Sequence, residues 1–231
     1  MRTTMAVIGL AALVVGSSPV AAADPPPAEP PNVGDLKQLA TQYHDSGAYA
    51  ADLQAADAPA ADWIRAESPR VDRPAVVFDV DETALSNWEA IKANDFGRVI
   101  DGPCNLPFGP CGWGAWDMMA RSSVITPTLD VFDAAKASGA DVFFITGRHE
   151  LQRPATERNL LDAGYLGYTG LVMEPPSSQY RSAADFKAPQ REQIEQQGYT
   201  IIANIGDQPS DLDGGHAEQT FLLPNPFYRV P

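Results

Sequence analysis

Basic residues, cysteines and long hydrophobic runs are all scarce in the sequence, and each scarcity excludes a class of protein. Sixteen Lys and Arg face 30 Asp and Glu, which gives a formal net charge of -14. A chain so acidic repels nucleic acid polymers and anionic membrane surfaces. The two cysteines have no histidine near them and do not supply the four ligands of a structural zinc site. No run reaches the roughly 20 apolar residues that a membrane-spanning helix needs.

The composition is otherwise that of a globular protein. Of the 231 residues, 44% are hydrophobic and only 20% are charged, which disfavours a disordered chain or a coiled coil. A chain of this length suits one domain with a substantial buried core.

The N-terminal 34 residues have the features of an exported protein. Arg2 precedes an apolar run over 5–15, and small residues end at Ala21-Ala22-Ala23, which is the pattern of a secretory signal peptide with its cleavage site. A membrane anchor is the alternative, but the run is short for it and no Cys follows that carries lipid. We therefore predict a signal peptide over 1–23, a proline-rich linker over 24–34, and a protein that is secreted or in the cell envelope, without a membrane contact after cleavage.

Both cysteines lie in a segment, about 95–124, that fits neither helical nor strand periodicity and is interpreted as an insertion. In an oxidising compartment Cys104 and Cys111 are close enough in sequence to form a disulfide. Two free thiols are the alternative. The aromatic residues in and near this segment are interpreted as its core rather than as a wall of a binding site: Trp88, Phe108, Trp113 and Trp116.

Short apolar runs alternate with helical stretches over the main domain, predicted at 35–231. Runs rich in β-branched residues are typical of strands buried on both faces. Strands alternating with helices predict an α/β fold with a doubly wound parallel sheet and helices on both faces. The predicted strands are 75–78, 142–145, 171–173, 201–205 and 220–223. A first predicted helix starts at Asp35, and a second covers about 53–64 with an interruption at Pro59. Three further helices are predicted at 128–138, 154–163 and 188–197.

Polar clusters follow three of the predicted strands, at 79–83, 146–148 and 206–211. The carboxyl ends of parallel strands line one crevice of an open sheet, so we expect these clusters to converge. The carboxylates of Asp79, Asp81 and Asp207 would repel one another there unless a cation lay among them, and an oxygen-only ligand set suits Mg²⁺.

The residue types in the clusters favour phosphoryl transfer through an aspartyl-phosphate. Asp79 is the candidate nucleophile, and Asp81 is the candidate general acid and then general base. Thr146 supplies a hydroxyl, and Gly147 lets backbone N–H groups approach a phosphoryl oxygen. Lys187 is the candidate cation for the transferred group, since it is the one lysine between the second and third clusters.

Two of the candidate phosphate ligands have an alternative interpretation. Lys187 precedes Pro189 and the predicted helix, where a cation opposes the helix dipole unless an anion is bound; a solvated surface lysine is the alternative. Arg148 lies next to the phosphate turn and is a candidate substrate ligand, or it pairs with Glu150 or Asp81.

The order of these residues resembles the four motifs of the haloacid dehalogenase (HAD) superfamily. The motifs are Asp79-x-Asp81-Glu82-Thr83, Thr146, Lys187 and Gly206-Asp207-x-x-x-Asp211. Within that superfamily, the segments 76–87 and 143–148 are similar to the secreted acid phosphatases of subfamily IIIB, the class C and plant vegetative-storage-protein group.

This resemblance implies a Rossmann-like sheet with a small inserted cap segment. It also implies Mg²⁺ held by the Asp79 carboxylate, the Asp81 backbone carbonyl and Asp207, with Asp211 behind them or bound through water, and phosphate contacts from Thr146 and Lys187. The implied activity is that of a phosphoric monoester hydrolase, an acid phosphatase with broad selectivity for small phosphomonoesters, nucleotides included.

Two rival functions share the fold. A dehalogenase needs neither a second carboxylate at Asp81 nor a metal, and the sequence provides for both. A secreted storage or binding protein with little turnover is the second alternative, and the presence of the candidate nucleophile Asp79 speaks against it.

Overall fold

The computed structural model describes residues 29–176 and 180–230. The predicted signal peptide lies outside the described residues, as do residues 24–28 of the predicted linker, and the predicted domain bounds stay predictions. Val33–Pro231 form one compact unit. Among the helices of the described part, none combines the length and the apolar character needed to cross a membrane.

Helices and strands alternate through this unit. In chain order they are α1 Val33–Asp45, α2 Ala48–Glu67, β1 Pro74–Phe78, β2 Leu85–Ser86, α3 Trp88–Ala93, α4 Trp113–Met119, β3 Ser123–Val124, α5 Thr126–Ala137, β4 Asp141–His149, α6 Arg153–Asp162, β5 Gly170–Glu174, α7 Ala183–Gln196, β6 Thr200–Gly206, α8 Pro209–Leu212 and β7 Gln219–Leu222.

Five strands form the central sheet in the order β5-β4-β1-β6-β7, and every neighbouring pair is parallel. The chain moves outward from β1 to β4 and β5 and then returns to β6 and β7 on the other side. The predicted α/β class is therefore confirmed. Since the strand order reverses at β1, a crevice opens at the carboxyl ends of β1, β4 and β6.

The apolar run of β1 is buried on both faces of the sheet. Val76 and Phe78 pack in the core that contains residues of α2 and α5, whereas Ala75 and Val77 pack in the core that contains residues of α7. Successive side chains of a strand point to opposite faces, so a continuous apolar run is what a strand covered on both sides requires.

The predicted interruption at Pro59 is wrong. The helix α2 runs unbroken from Ala48 to Glu67 with Pro59 inside it. An interior proline costs about 3 kcal/mol because it removes one backbone hydrogen bond. Leu53 and Ile64, on either side of Pro59, are buried in the core, and burying a side chain of this size returns roughly 1.5–3 kcal/mol each.

The helix predicted to start at 188 begins earlier. α7 starts at Ala183, and the Ser182 hydroxyl caps it by accepting a hydrogen bond from the Asp185 amide at 3.4 Å. This cap, rather than Pro189, sets the start of the helix. Lys187 consequently lies in the second turn of α7 and not ahead of it.

The insertion is held by a disulfide between Cys104 and Cys111, so of the two interpretations of the cysteines the structure shows the bridged one. Cys111 and Trp116 pack with Ala90 in a small core of their own. Trp116 thus matches the interpretation as insertion core, whereas Phe108 is 92% exposed.

A buried carboxyl group, that of Asp57, lies between α2 and α5. One oxygen accepts a hydrogen bond from the Thr128 hydroxyl at 3.0 Å, and the other has no hydrogen-bond partner among the described residues. Burial raises the pKa of Asp57 to about 7; the Thr128 hydrogen bond opposes the rise and the charge of Asp130 adds to it. The phenols of Tyr49 and Tyr165 are also near enough to feel its charge.

The contribution of the Asp57 carboxyl to stability should be larger in acid than at neutral pH. The pKa of Asp57 in the folded state lies above the value near 4 of an unfolded chain, so its contribution is full below about pH 4 and is lost as the pH rises toward 7. Relative to Asp57→Asn, the free energy of unfolding of the wild type should fall by roughly 2–4 kcal/mol over that window. Urea denaturation across the window checks this.

The matched control is Asp62→Asn, an exposed position of the same helix, which should keep the pH dependence of the wild type. An Asp57→Asn protein whose stability varies with pH as the wild type does would contradict the prediction.

Candidate active site

A cavity of about 580 Å³ opens at the carboxyl ends of β1, β4 and β6. Most of the residues that the sequence predicts for the site line it, and residues of the insertion and the C-terminal segment complete its wall. The predicted residues on the cavity surface are Asp79, Asp81, Gly147, Arg148, Lys187, Asp207 and Asp211.

Three buried carboxylates meet at its floor. Asp79 directly follows β1, Asp207 directly follows β6, and Asp211 lies in α8. Each offers an oxygen within 4.8 Å of the other two. The backbone amide of Asp79 donates to the carbonyl of Ile205 at 2.9 Å, which ties the ends of β1 and β6 together.

The ammonium of Lys187 is the counter-ion that the structure places on this cluster. It donates a hydrogen bond to Asp79 and another to Asp211 at 2.7 Å. Burial lowers the pKa of Lys187, but the charges of Asp211 and Asp79 outweigh this and raise it above its usual value. Three carboxylates against one ammonium leave an excess of negative charge, and hard oxygen donors at this spacing fit a divalent cation.

The electrostatics of Asp79 show the same excess of negative charge. Burial raises the pKa of Asp79, the charge of Lys187 opposes the rise, and Asp211 and Asp207 add to it, so that the net pKa lies well above the ordinary value. A carboxylate in such a place ionises readily only beside sufficient positive charge.

Asp207 is held by neutral donors. Its carboxylate accepts hydrogen bonds from Thr83 Oγ1 at 3.1 Å, from Asn225 Nδ2 at 2.7 Å and from the Gln208 side chain. Within 29–176 and 180–230 it forms no ion pair, and burial, with the charge of Asp211 next, raises its pKa to about 7. The oriented donors fix the carboxylate without neutralising it.

The side chain of Arg148 forms an ion pair with Asp81. The guanidinium is buried and donates to both oxygens of Asp81, the shortest contact being 2.6 Å, while its Nη2 lies 3.5 Å from Asp117. Asn87 Nδ2 donates to the same carboxylate at 2.8 Å. Burial raises the pKa of Asp81, but the Arg148 charge and these hydrogen bonds outweigh it and lower the pKa below its usual value. Of the two interpretations of Arg148, the structure shows the pairing with Asp81.

Glu82 anchors the loop that follows β1 and carries Asp81. Its backbone has a left-handed φ of 54°, a conformation that costs a non-glycine residue energy and persists where the surroundings impose it. The buried carboxyl accepts hydrogen bonds from the Asn87 amide at 2.6 Å and from the Tyr228 hydroxyl. Burial and then the charge of Asp81 raise the pKa of Glu82 to about 8.

The side-chain amide of Asn87 connects the loop to the insertion. Its nitrogen donates to Asp81, and its oxygen accepts hydrogen bonds from Trp116 Nε1 and from Ser122 Oγ, both at 2.8 Å. Asn87 is fully buried. The position of the insertion is thereby linked to that of Asp81.

Thr146 differs from the other predicted residues. It is fully buried and does not line the cavity, and its hydroxyl oxygen accepts a hydrogen bond from the Arg148 amide at 3.1 Å. The pairing of β4 with β5 shifts in register between Thr146 and His149, and Gly147, within this shift, lies on the cavity surface.

Several residues of the site have no assigned role in the sequence interpretation. Asn87, Asp117, Asn225 and Tyr228 act through buried hydrogen bonds, and no spacing rule marks them. Trp113 was interpreted as part of the insertion core, yet it lines the cavity. An aromatic residue at the first position of a helix in an insertion is a weak signal of such a wall.

The comparisons with known proteins give one consistent family. The family model described as HAD superfamily, subfamily IIIB (Acid phosphatase), matches residues 20–231. Among curated proteins, the chain is 32% identical over 157 residues to the stem 28 kDa glycoprotein of Glycine max, covering 67% of this chain and 59% of that protein. It is 30% identical over 155 residues to acid phosphatase 1 of Solanum lycopersicum, covering 67% of this chain and 58% of that protein.

A solved structure shows the same fold. The class C acid phosphatase from Bacillus anthracis superposes with a TM-score of 0.62 at 19% identity, covering 85% of this chain and 86% of that one. The matches to the two plant proteins, by contrast, extend over somewhat less than two thirds of their length.

Proposed function

The chain belongs to subfamily IIIB of the HAD superfamily, the acid phosphatases, and from that premise we propose that it is a secreted, Mg²⁺-dependent acid phosphatase that hydrolyses small phosphomonoesters, nucleotides included, through an aspartyl-phosphate. The observation that carries the proposal is the cluster of Asp79, Asp207 and Asp211 around Lys187. It lies beside the oriented carboxylate of Asp81.

Asp79 is the nucleophile in this proposal. Its carboxylate oxygen attacks phosphorus, and the bond to the leaving oxygen breaks. Mg²⁺ would be held by the carboxylates of Asp79 and Asp207 and the backbone carbonyl of Asp81, with Asp211 behind them or bound through water, and it would supply positive charge for the phosphoryl oxygens.

Asp81 moves the protons. Although burial opposes it, the charge of Arg148 lowers the pKa of Asp81, so its protonated form is favoured only in acid. That form gives a proton to the leaving oxygen, and the carboxylate left behind then takes one from the water that hydrolyses the aspartyl-phosphate. The paired contacts from Arg148 and the contact from Asn87 hold the carboxylate in one orientation. A positioned acid or base of this kind typically accelerates a reaction by about 10²–10⁴-fold.

The remaining contacts bind the phosphoryl group. The Lys187 ammonium donates a hydrogen bond to the Asp79 carboxylate. It is therefore positioned to neutralise the charge of a phosphoryl oxygen that reaches Asp79. The backbone at Gly147 is exposed to the cavity and offers an N–H donor. The Thr146 hydroxyl accepts a hydrogen bond from the Arg148 amide and so supports the backbone on both sides of Gly147.

Export is supported by two features. The N-terminal pattern over 1–23 is that of a signal peptide, and the insertion contains a disulfide, which persists in oxidising compartments.

Hydrolysis of p-nitrophenyl phosphate by the mature protein tests the proposal. We expect turnover in acid that falls at least about 100-fold on chelation and returns with Mg²⁺. Mg²⁺ should also raise the melting temperature, because a ligand that binds only the folded state stabilises it.

Each of the two alternative functions predicts a different experimental result. Absence of turnover in protein that is folded and shows the Mg²⁺-dependent melting shift would favour a storage or binding protein of the same fold. Halide release from a 2-haloacid in the presence of chelator would favour a dehalogenase.

A further inference from the structure

An arginine lies on the rim of the cavity, in the part of the insertion between α3 and α4. Arg98 is exposed, and its Cζ lies 5.7 Å from the centre of the Trp113 ring. The backbone amide of Trp113 donates to the carbonyl of Val99 at 2.7 Å, and its ring packs edge-on against Tyr228 at 5.3 Å. The side chain beneath Arg98 is therefore fixed, and the guanidinium has a defined platform.

Arg98 differs from the other cations that line the cavity. Arg148 pairs with Asp81, Lys187 pairs with Asp79 and Asp211, and Arg181 pairs with Asp185. Within the described residues, Arg98 has no carboxylate at ion-pair distance, although the cavity around it is rich in acids. A guanidinium without a partner in such a place is available to an anion that enters from solvent.

The charge of Arg98 extends to the inner cavity. Burial raises the pKa of Asp117 to about 7, and the charge of Arg148 and, more weakly, that of Arg98 oppose the rise. Asp117 in turn contacts Arg148 behind Asp81. Arg98 also lines the same cavity as Asp79 and Asp81, which places it where the far end of a bound substrate can reach it.

The direction in which a substrate projects follows from burial. Asp79 and Lys187 are buried at the floor, so an ester whose phosphorus is at Asp79 extends its leaving group toward the exposed rim. We propose that Arg98, held on Trp113, binds a second anionic group on that leaving group, so that the site prefers phosphomonoesters whose alcohol carries a carboxylate or another anion. This inference rests on the proposed phosphatase function.

Two esters of nearly equal shape test the preference. In 4-carboxyphenyl phosphate the far end is anionic, and in 4-carbamoylphenyl phosphate it is neutral. The measured quantity is the ratio of kcat/KM for the acid to that for the amide. We expect Arg98→Gln to lower this ratio about fivefold to tenfold, as removal of an ion pair in a partly screened site does. Comparing ratios cancels the difference in leaving-group acidity.

Arg121→Gln is the matched control. Arg121 is also exposed and lies 6.0 Å from a tryptophan ring, that of Trp116, but it pairs with Glu89 and does not line the cavity. The kcat/KM ratio of Arg121→Gln for the two esters should equal that of the wild type. Raising the salt from about 0.02 M to about 0.5 M should lower the ratio of the wild type relative to that of Arg98→Gln, since salt screens an exposed pair.

The outcomes separate the two proposals. Equal ratios in wild type and Arg98→Gln, with both esters turned over, would overturn the anion subsite and leave the phosphatase function standing. If the folded wild type hydrolyses neither ester, the phosphatase function itself is overturned, and the substrate preference with it.

Discussion

Replacing Asp79 with asparagine is expected to lower kcat for p-nitrophenyl phosphate by about 10⁴-fold or more, because losing the nucleophile of an enzyme with a covalent intermediate removes the reaction path itself. The amide keeps the size of the carboxylate but attacks phosphorus poorly. Lys187 keeps its ion pair with Asp211, so we expect the fold to survive.

Steady-state kinetics with circular dichroism and a melting curve checks this expectation. Asp62→Asn, the same change at an exposed position of α2, should retain wild-type kinetics. Residual activity within tenfold of the wild type, in protein free of wild-type contamination, would mean that another group attacks phosphorus.

Replacing Asp81 with asparagine should have an effect that depends on the leaving group. For an alkyl ester such as glycerol 2-phosphate, whose alcohol leaves poorly without a proton, we expect kcat/KM to fall about 10³-fold. For p-nitrophenyl phosphate the phenolate leaves unaided, so kcat/KM should fall much less.

The comparison of the two esters distinguishes a lost proton donor from a damaged site. A merely structural role for Asp81 would lower kcat/KM equally for both. Rapid mixing with p-nitrophenyl phosphate should also show a burst of nitrophenol, since the variant forms the aspartyl-phosphate faster than it hydrolyses it. Asp101→Asn, another aspartate on the cavity surface, should show neither the selectivity nor the burst.

The sheet and the convergence of its polar clusters could be predicted from sequence because both follow from local patterns. Strands covered on two faces require continuous apolar runs, as in β1 and β6. Side chains that directly follow such runs must lie at one edge of a parallel sheet, which places Asp79 and Asp207 together. The grouping of these two residues with Asp211 and Lys187 in the structure agrees with that expectation.

The rest of the site depends on contacts between residues far apart in sequence. Arg148 lies 67 residues from Asp81, and the sequence leaves open whether it binds substrate or pairs with Asp81 or Glu150. Asn225 lies 18 residues from Asp207, in a segment that has no regular structure. Pro59 is another example, since the burial that keeps α2 continuous comes from side chains of other elements.

One buried amide determines how the mouth of the cavity behaves. Asn87 joins the insertion to the loop that carries Asp81. An outward swing of α4 would separate Trp116 from Asn87 and leave polar atoms unpaired in a buried place, at a cost of roughly 1–3 kcal/mol for each. The observed position of the insertion at the mouth is therefore favoured over an outward one. In the proposed reaction, the ester would enter and the alcohol and phosphate would leave through this mouth without a domain movement.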